Sequence, residues 1–363
     1  MMLKMAAQWA AARGWLSGLL QEELLQGGLL QRRLSQGGLL QRGLLQGGLL
    51  QRRRLQGLWL ALLLLLSAQS FAQSYNGFDL EGSTLPVAKI FQGGPPRDGI
   101  PSIDQPKFVS ADEDQLLEPH SLVVGVELNG ESRAYPVAIL NWHELVNDRI
   151  GSQAVVISYC PLCGTALVFN ATVQGQTLQF GVSGLLYNSD LLLYDRQQQS
   201  LWSQITGEAI SGPLIGQRLQ MLPAALTSWQ RWRSEHPDTR LLSTDTGYSR
   251  DYLRSPYGNY DNSERLYFPV EFLSRRYHPK ERVLGVEVDG AFKAYPFAEL
   301  AKRKEQTQLL DRVAGRLLRV EYDLPSRSGR VFDQTGDELP VINSFWFAWY
   351  GFHPQTEVFT FKH

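Results

Sequence analysis

Both cysteines of this 363-residue chain fall in one short phrase, Tyr159-Cys160-Pro161-Leu162-Cys163-Gly164. In such a C-P-x-C-G loop two sulfurs can converge, and Gly164 permits the backbone geometry that a chelating knuckle needs. Thiolates are soft ligands suited to Cu(I), Zn(II) or iron, and copper or zinc is the metal this spacing suggests. A single knuckle cannot fill a four-thiolate site, so other side chains must complete it. His143 is the first candidate. If 136–148 is helical, Ile139, His143, Val146 and Ile150 share one face at about 100° per residue. The imidazole then points inward, toward the strand that delivers Cys160. Asp190, Tyr159 and Met221 are further candidates for a fourth ligand, and catalysis would require one position left open.

Two other chemistries compete for the same pair. A C-x-x-C after a strand can close a disulfide in an oxidising compartment, either for thiol-disulfide exchange or as a staple in a non-catalytic interaction protein. An exchanger of the thioredoxin kind would place Cys160 at a helix N-terminus. Residues 164–169, Gly-Thr-Ala-Leu-Val-Phe, read as strand. The absence of C-x-x-C-H removes c-type haem attachment, and there is no G-x-S-x-G, P-loop, G-x-G-x-x-G or H-E-x-x-H. Tyr187-Asn188-Ser189-Asp190 is polar between apolar runs and reads as a turn that could line a site.

The elements that must position these residues repeat along the chain. Residues 123–140 and 283–300 are identical at ten of eighteen positions, at a shift of 160. Residues 222–239 and 339–356 agree at seven positions, sharing W-x-x-W-x-x-x-H-P-x-T at a shift of 117. The shift of 160 sets Arg303 opposite His143, and the second copy has no cysteine, so any chemistry belongs to the first. Asn129-Gly130 and Asp289-Gly290 mark two hairpins. Pro136 suits the first turn of a helix running to about Asp148. Short strands follow at 154–159, 166–169, 177–181, 190–194 and 200–205, with a helix over 226–235. The Trp229/Trp232 and Trp346/Trp349 pairs sit at helical spacing and read as core anchors, and His236 and His353 as helix-end caps. The expected fold is α+β and β-rich, with mostly antiparallel sheets in two related lobes. The lobes are 105–245, with the CPLCG motif, and 275–363. A segment over 246–274 connects them.

Hydrophobic residues make up 43% and charged residues 20%, which excludes a disordered or rod-like chain. The net charge of −1 is uneven: residues 1–72 hold eight basic and two acidic side chains, leaving 27 and 34 in 73–363. An acidic body has no general attraction for phosphate backbones, so nucleic acid is excluded as a partner. Residues 17–56 repeat a ten-residue Leu/Gln-rich unit four times, interrupted by Gly-Gly pairs. Arg52-Arg53-Arg54, an apolar run over 58–66 and Ser70-Phe71-Ala72 then follow the order of a signal peptide. Residues 1–72 are therefore expected to be a low-complexity leader plus signal peptide, cleaved after Ala72. The product would be periplasmic or secreted, with no stable membrane span.

The phrases NWHELVND, SYCPLCGTALVF, FGVSGLLYNSDLLLYDR and SLWSQITGEAI resemble the domain-of-unknown-function family numbered 3179, from about Leu122 through Phe359. The resemblance implies an exported or membrane-associated prokaryotic protein and supplies no established reaction. The expectation is an exported protein with a soft-metal or redox centre at Cys160, Cys163 and His143, engaged in metal handling or electron transfer. Turnover would make it a metal-dependent oxidoreductase; without turnover it is a metal-carrying accessory protein. Its partner, a protein or a small molecule, is not identified.

Overall fold

The structure, a computed structural model, describes residues 75–304 and 306–361. The Leu/Gln repeat and the expected signal segment with cleavage after Ala72 lie outside the described residues.

Short loops join strands that neighbour one another in sequence, so antiparallel pairing dominates, as the α+β expectation requires. Leu122–Leu128 pairs with Glu131–Pro136 across Asn129-Gly130, and Arg282–Val288 pairs with Ala291–Pro296 across Asp289-Gly290. All four turn residues have positive φ, the conformation of a two-residue hairpin turn matched to strand twist. Ala225–Ser228 flanks the first hairpin antiparallel and Arg240–Leu242 lies parallel to its other edge. Ile342–Phe345 and Glu357–Val358 take the same places beside the second. Each antiparallel flanking strand runs into a short helix, Trp229–Glu235 or Trp346–Phe352, that lays an indole on the hairpin. Gly125 and Gly285 make room for it. A Cβ at either position would sit 2.2 Å from Trp232 or 2.1 Å from Trp349. The tryptophan pairs are core anchors, all four side chains buried.

The two halves are not separate bodies. Ile342–Phe345 pairs antiparallel with Thr165–Asn170, so one long sheet continues from the second hairpin into the strand pair that carries the cysteines. The segment 246–274 is more than a connector: Tyr252 and Tyr260 are buried and help to close the core.

Two expected elements are corrected. The helix expected over 226–235 begins only at Trp229, because Ala225–Ser228 is a strand. The helix after Pro136 ends at His143, not near Asp148. Glu144 takes φ 58° and ψ −34°, which stops the helix, and Leu145–Ile150 is a strand. That strand pairs residue for residue with Gln153–Cys160. Six ladder positions and burial of Leu145, Val146 and Ile150 outweigh the local helical spacing. Val146 and Ile150 therefore do not share a helix face with His143.

Candidate metal centre

The site forms where two hairpin tips meet. The cysteine hairpin consists of Gln153–Cys160 and Thr165–Asn170, with Cys160 opposite Thr165. Its turn is held by the Cys163 N–H donating to the Cys160 carbonyl at 3.2 Å. Gly164 sits at φ +59°, and a Cβ there would lie 2.9 Å from the Phe345 ring. The turn thus rests on the second half of the chain, and the Phe345 N–H donates to the Cys163 carbonyl at 2.8 Å. The other hairpin consists of Phe180–Tyr187 and Asp190–Asp195 and turns at Asn188-Ser189, both at positive φ. Asn188 Oδ1 accepts from the Glu271 N–H at 2.8 Å, and Ser189 Oγ donates to the Phe268 carbonyl at 2.7 Å. The segment 246–274 therefore clamps this second tip.

At the junction the thiols of Cys160 and Cys163 both face the Ser189 carbonyl, at 3.8 and 3.2 Å. One oxygen of Asp190 accepts from the Ile205 N–H at 3.2 Å; the other, Oδ1, is buried and has no hydrogen-bond partner. A ligand atom from each of Cys160, Cys163 and Asp190 lies within 4.8 Å of the others, and all three side chains are buried. Among the described residues this is the one group of three such side chains that could hold a metal ion.

Burial sets the protonation of the site. It raises both thiols above the ordinary cysteine range, Cys163 the more strongly. Burial also carries Asp190 up to about 7, against the opposing pull of the Ile205 N–H. Both thiols also pull Asp190 toward its ionised form, without cancelling the rise from burial. Two thiolates and a carboxylate would together be prohibitive in this interior without a cation, so the metal-free site holds protons where a metal would sit.

Glu144 lies beside this group. Burial lifts its carboxyl to about 7, with Asp190 adding to the rise, and the Tyr257 hydroxyl donates to its Oε1 at 3.2 Å. Its backbone N–H and carbonyl are engaged with Leu140 and Tyr159 at the helix-to-strand reversal. Sequence reasoning did not single out Glu144. The signal available was an acidic residue inside an apolar stretch, next to His143.

His143 lies elsewhere. Its Nδ1 is 2.8 Å from the Pro101 carbonyl and its Nε2 is 2.7 Å from the Tyr252 hydroxyl. A carbonyl only accepts, so Nδ1 carries the proton and Nε2 accepts from Tyr252, which in turn accepts from Thr246 at 2.6 Å. Burial lowers the imidazole's pKa, in keeping with this neutral form. With both nitrogens engaged the ring offers no lone pair, and it is not one of the clustered ligands. Met221 pairs with Phe169 at a sheet edge and packs on the core. Tyr159 is buried, its hydroxyl pushed up to about 12 by that burial. Of the further ligand candidates read from the sequence, Asp190 joins the cysteines in one group.

A cavity of about 390 Å³ borders the site. Leu162 from the cysteine turn, Leu191 beside Asp190, and Glu144 contribute to its wall. Fold and site together define a strand-rich α+β protein with a buried dithiol-carboxylate group at the junction of two hairpins. The chain belongs to the DUF3179 family, described as a protein of unknown function, whose model matches residues 97–356. That match spans both halves and the segment between them. No curated protein and no solved structure matches the chain.

Proposed function

We propose that this is an exported metal-binding protein that holds one zinc ion through Cys160, Cys163 and Asp190, with a fourth coordination position left to water or a bound molecule. The observation that carries the reading is the unpartnered Oδ1 of Asp190, buried beside two buried thiols. An orphaned carboxylate oxygen at such a place is costly unless something completes it. The donor set selects among metals. Cu(I) favours sulfur donors throughout, whereas zinc accepts cysteine sulfur and carboxylate oxygen in one tetrahedral shell. Three protein ligands with a free position, rather than four, is the pattern of reactive zinc sites. Thiol-disulfide exchange is less well supported, because burial raises both thiols and suppresses the thiolate that exchange requires. Export rests on the order of Arg52-Arg53-Arg54, the apolar run and Ser70-Phe71-Ala72. Among the described residues no helix is long and apolar enough to cross a membrane.

The test is metal analysis of protein expressed with its own leader, with a thiol count after denaturation. About one zinc per chain is expected, lost in the Cys160→Ser, Cys163→Ser double variant, together with N-terminal sequence beginning at Gln73. Protein that stays metal-free when offered zinc, or that holds copper in its place, overturns the zinc assignment.

A further inference from the structure

We propose that the cavity beside the cysteine turn binds a small organic cation, an amine or quaternary ammonium with an apolar body, through Glu144 and the aromatic rings of its wall. The wall is mainly apolar, and it includes Trp142, Tyr257, Tyr267 and Phe268. Aromatic faces attract cations through their quadrupoles, and rings gathered around one carboxylate are a recurrent way of recognising ammonium groups. Glu144 supplies the carboxylate. It is 7% exposed and lines the cavity. The Tyr257 hydroxyl makes the one side-chain hydrogen bond found to its carboxyl among the described residues, and no Lys, Arg or His figures among the groups acting on it there. An acid held in an apolar wall without a cation is the side chain a cationic ligand would complete.

The backbone agrees. Glu144 sits at φ 58° and ψ −34°, a conformation that non-glycine residues adopt at a cost and that tends to mark functional positions. Here it turns the chain from helix to strand at the cavity wall. The one other charged side chain on the wall, Arg250, is exposed and lies 5.8 Å from the Trp142 ring centre. Asp190 figures among the charges acting on Glu144 and Arg250 does not. A volume of about 390 Å³ suits a ligand of roughly ten non-hydrogen atoms, at the small end of ligand sites.

The proposal does not require the zinc ion, so binding is measured on chelator-treated protein and again with zinc added. The probes are benzyltrimethylammonium, N-benzylacetamide and 3-phenylpropionate, matched in size and differing in charge, titrated by calorimetry at about pH 8, where Glu144 is ionised. The cation is expected to bind at least tenfold more tightly than the other two, in both preparations. Glu144→Gln should lower cation affinity by tenfold or more and leave the amide unchanged. Tyr267→Ala, at a half-exposed ring, should weaken the cation several-fold in protein that remains folded. Tightest binding of the propionate would hand the cavity to Arg250 and overturn the inference. So would equal affinity for all three probes, no binding, or a cation preference that vanishes with the metal. A chain that takes no zinc yet prefers the cation sinks the metal reading alone.

Discussion

Glu144→Gln separates a side chain kept for stability from one kept for binding. In the unfolded chain Glu144 ionises at its ordinary 4.5, and in the folded chain burial holds the proton to about 7. Between those values the native state binds more proton than the unfolded state, so its stability falls as pH rises and levels off above about 7. The difference corresponds to roughly 3 kcal/mol for this one group. Glutamine keeps an oxygen to accept from Tyr257 and never ionises. The variant should therefore match the natural chain near pH 4.5 and exceed it by about 2–3 kcal/mol at pH 8, several degrees in Tm for a body of this size. Urea unfolding of chelator-treated protein across pH 4.5–8 reads this directly. The slope that remains in the variant is shared: burial raises Asp190 in the same direction, and burial lowers His143 and His353, which act in the opposite sense. Parallel stability curves for the two proteins would refute the claim that Glu144 is held protonated by burial. A variant that gains stability while losing the organic cation would show the trade expected of a functional group in an unfavourable place.

Three other outcomes follow from the same geometry. Asp190→Asn should weaken zinc at least tenfold while leaving two titratable thiols, as competition with a chromogenic chelator would show; unchanged affinity removes the carboxylate from the shell. His143→Ala should keep full zinc stoichiometry but cost about 2–4 kcal/mol, because it strands the Pro101 carbonyl and Tyr252 hydroxyl around a new void. Loss of zinc from folded His143→Ala would return the imidazole to the ligand set. Gly164→Ala should destabilise the chain by about 2 kcal/mol or more, since it combines a positive φ with a Cβ 2.9 Å from Phe345, and unfolding at the natural midpoint would contradict that reading.

Local chemistry was legible in the sequence, and long-range meeting was not. Asn129-Gly130 and Asp289-Gly290 announce their hairpins because a two-residue turn needs left-handed φ at both positions, and few residues supply it. The strand after Gly164 was readable from its β-branched and aromatic run. Asn188-Ser189 was readable as a turn, and Asp190 stood among the candidate ligands, but nothing in either phrase says that this tip meets the cysteine tip. Residues 145–150 show why short apolar segments mislead: Val146 and Ile150 fit helical spacing from His143, and they fit a strand equally well. The ladder to Gln153–Cys160 decides the matter, and that ladder is a property of two segments together. The same argument explains the segment 246–274. Its Tyr, Ser, Asn and Arg content resembles a linker, yet Tyr257 reaches Glu144 and the Phe268 carbonyl takes the Ser189 hydroxyl. Polar side chains bury well when each hydroxyl finds a partner, so composition alone cannot tell a tether from a lid. Burial is what turns the two cysteines, Asp190 and Glu144 from ordinary acids into proton-holding groups, and it is supplied by chain that lies far from them in sequence.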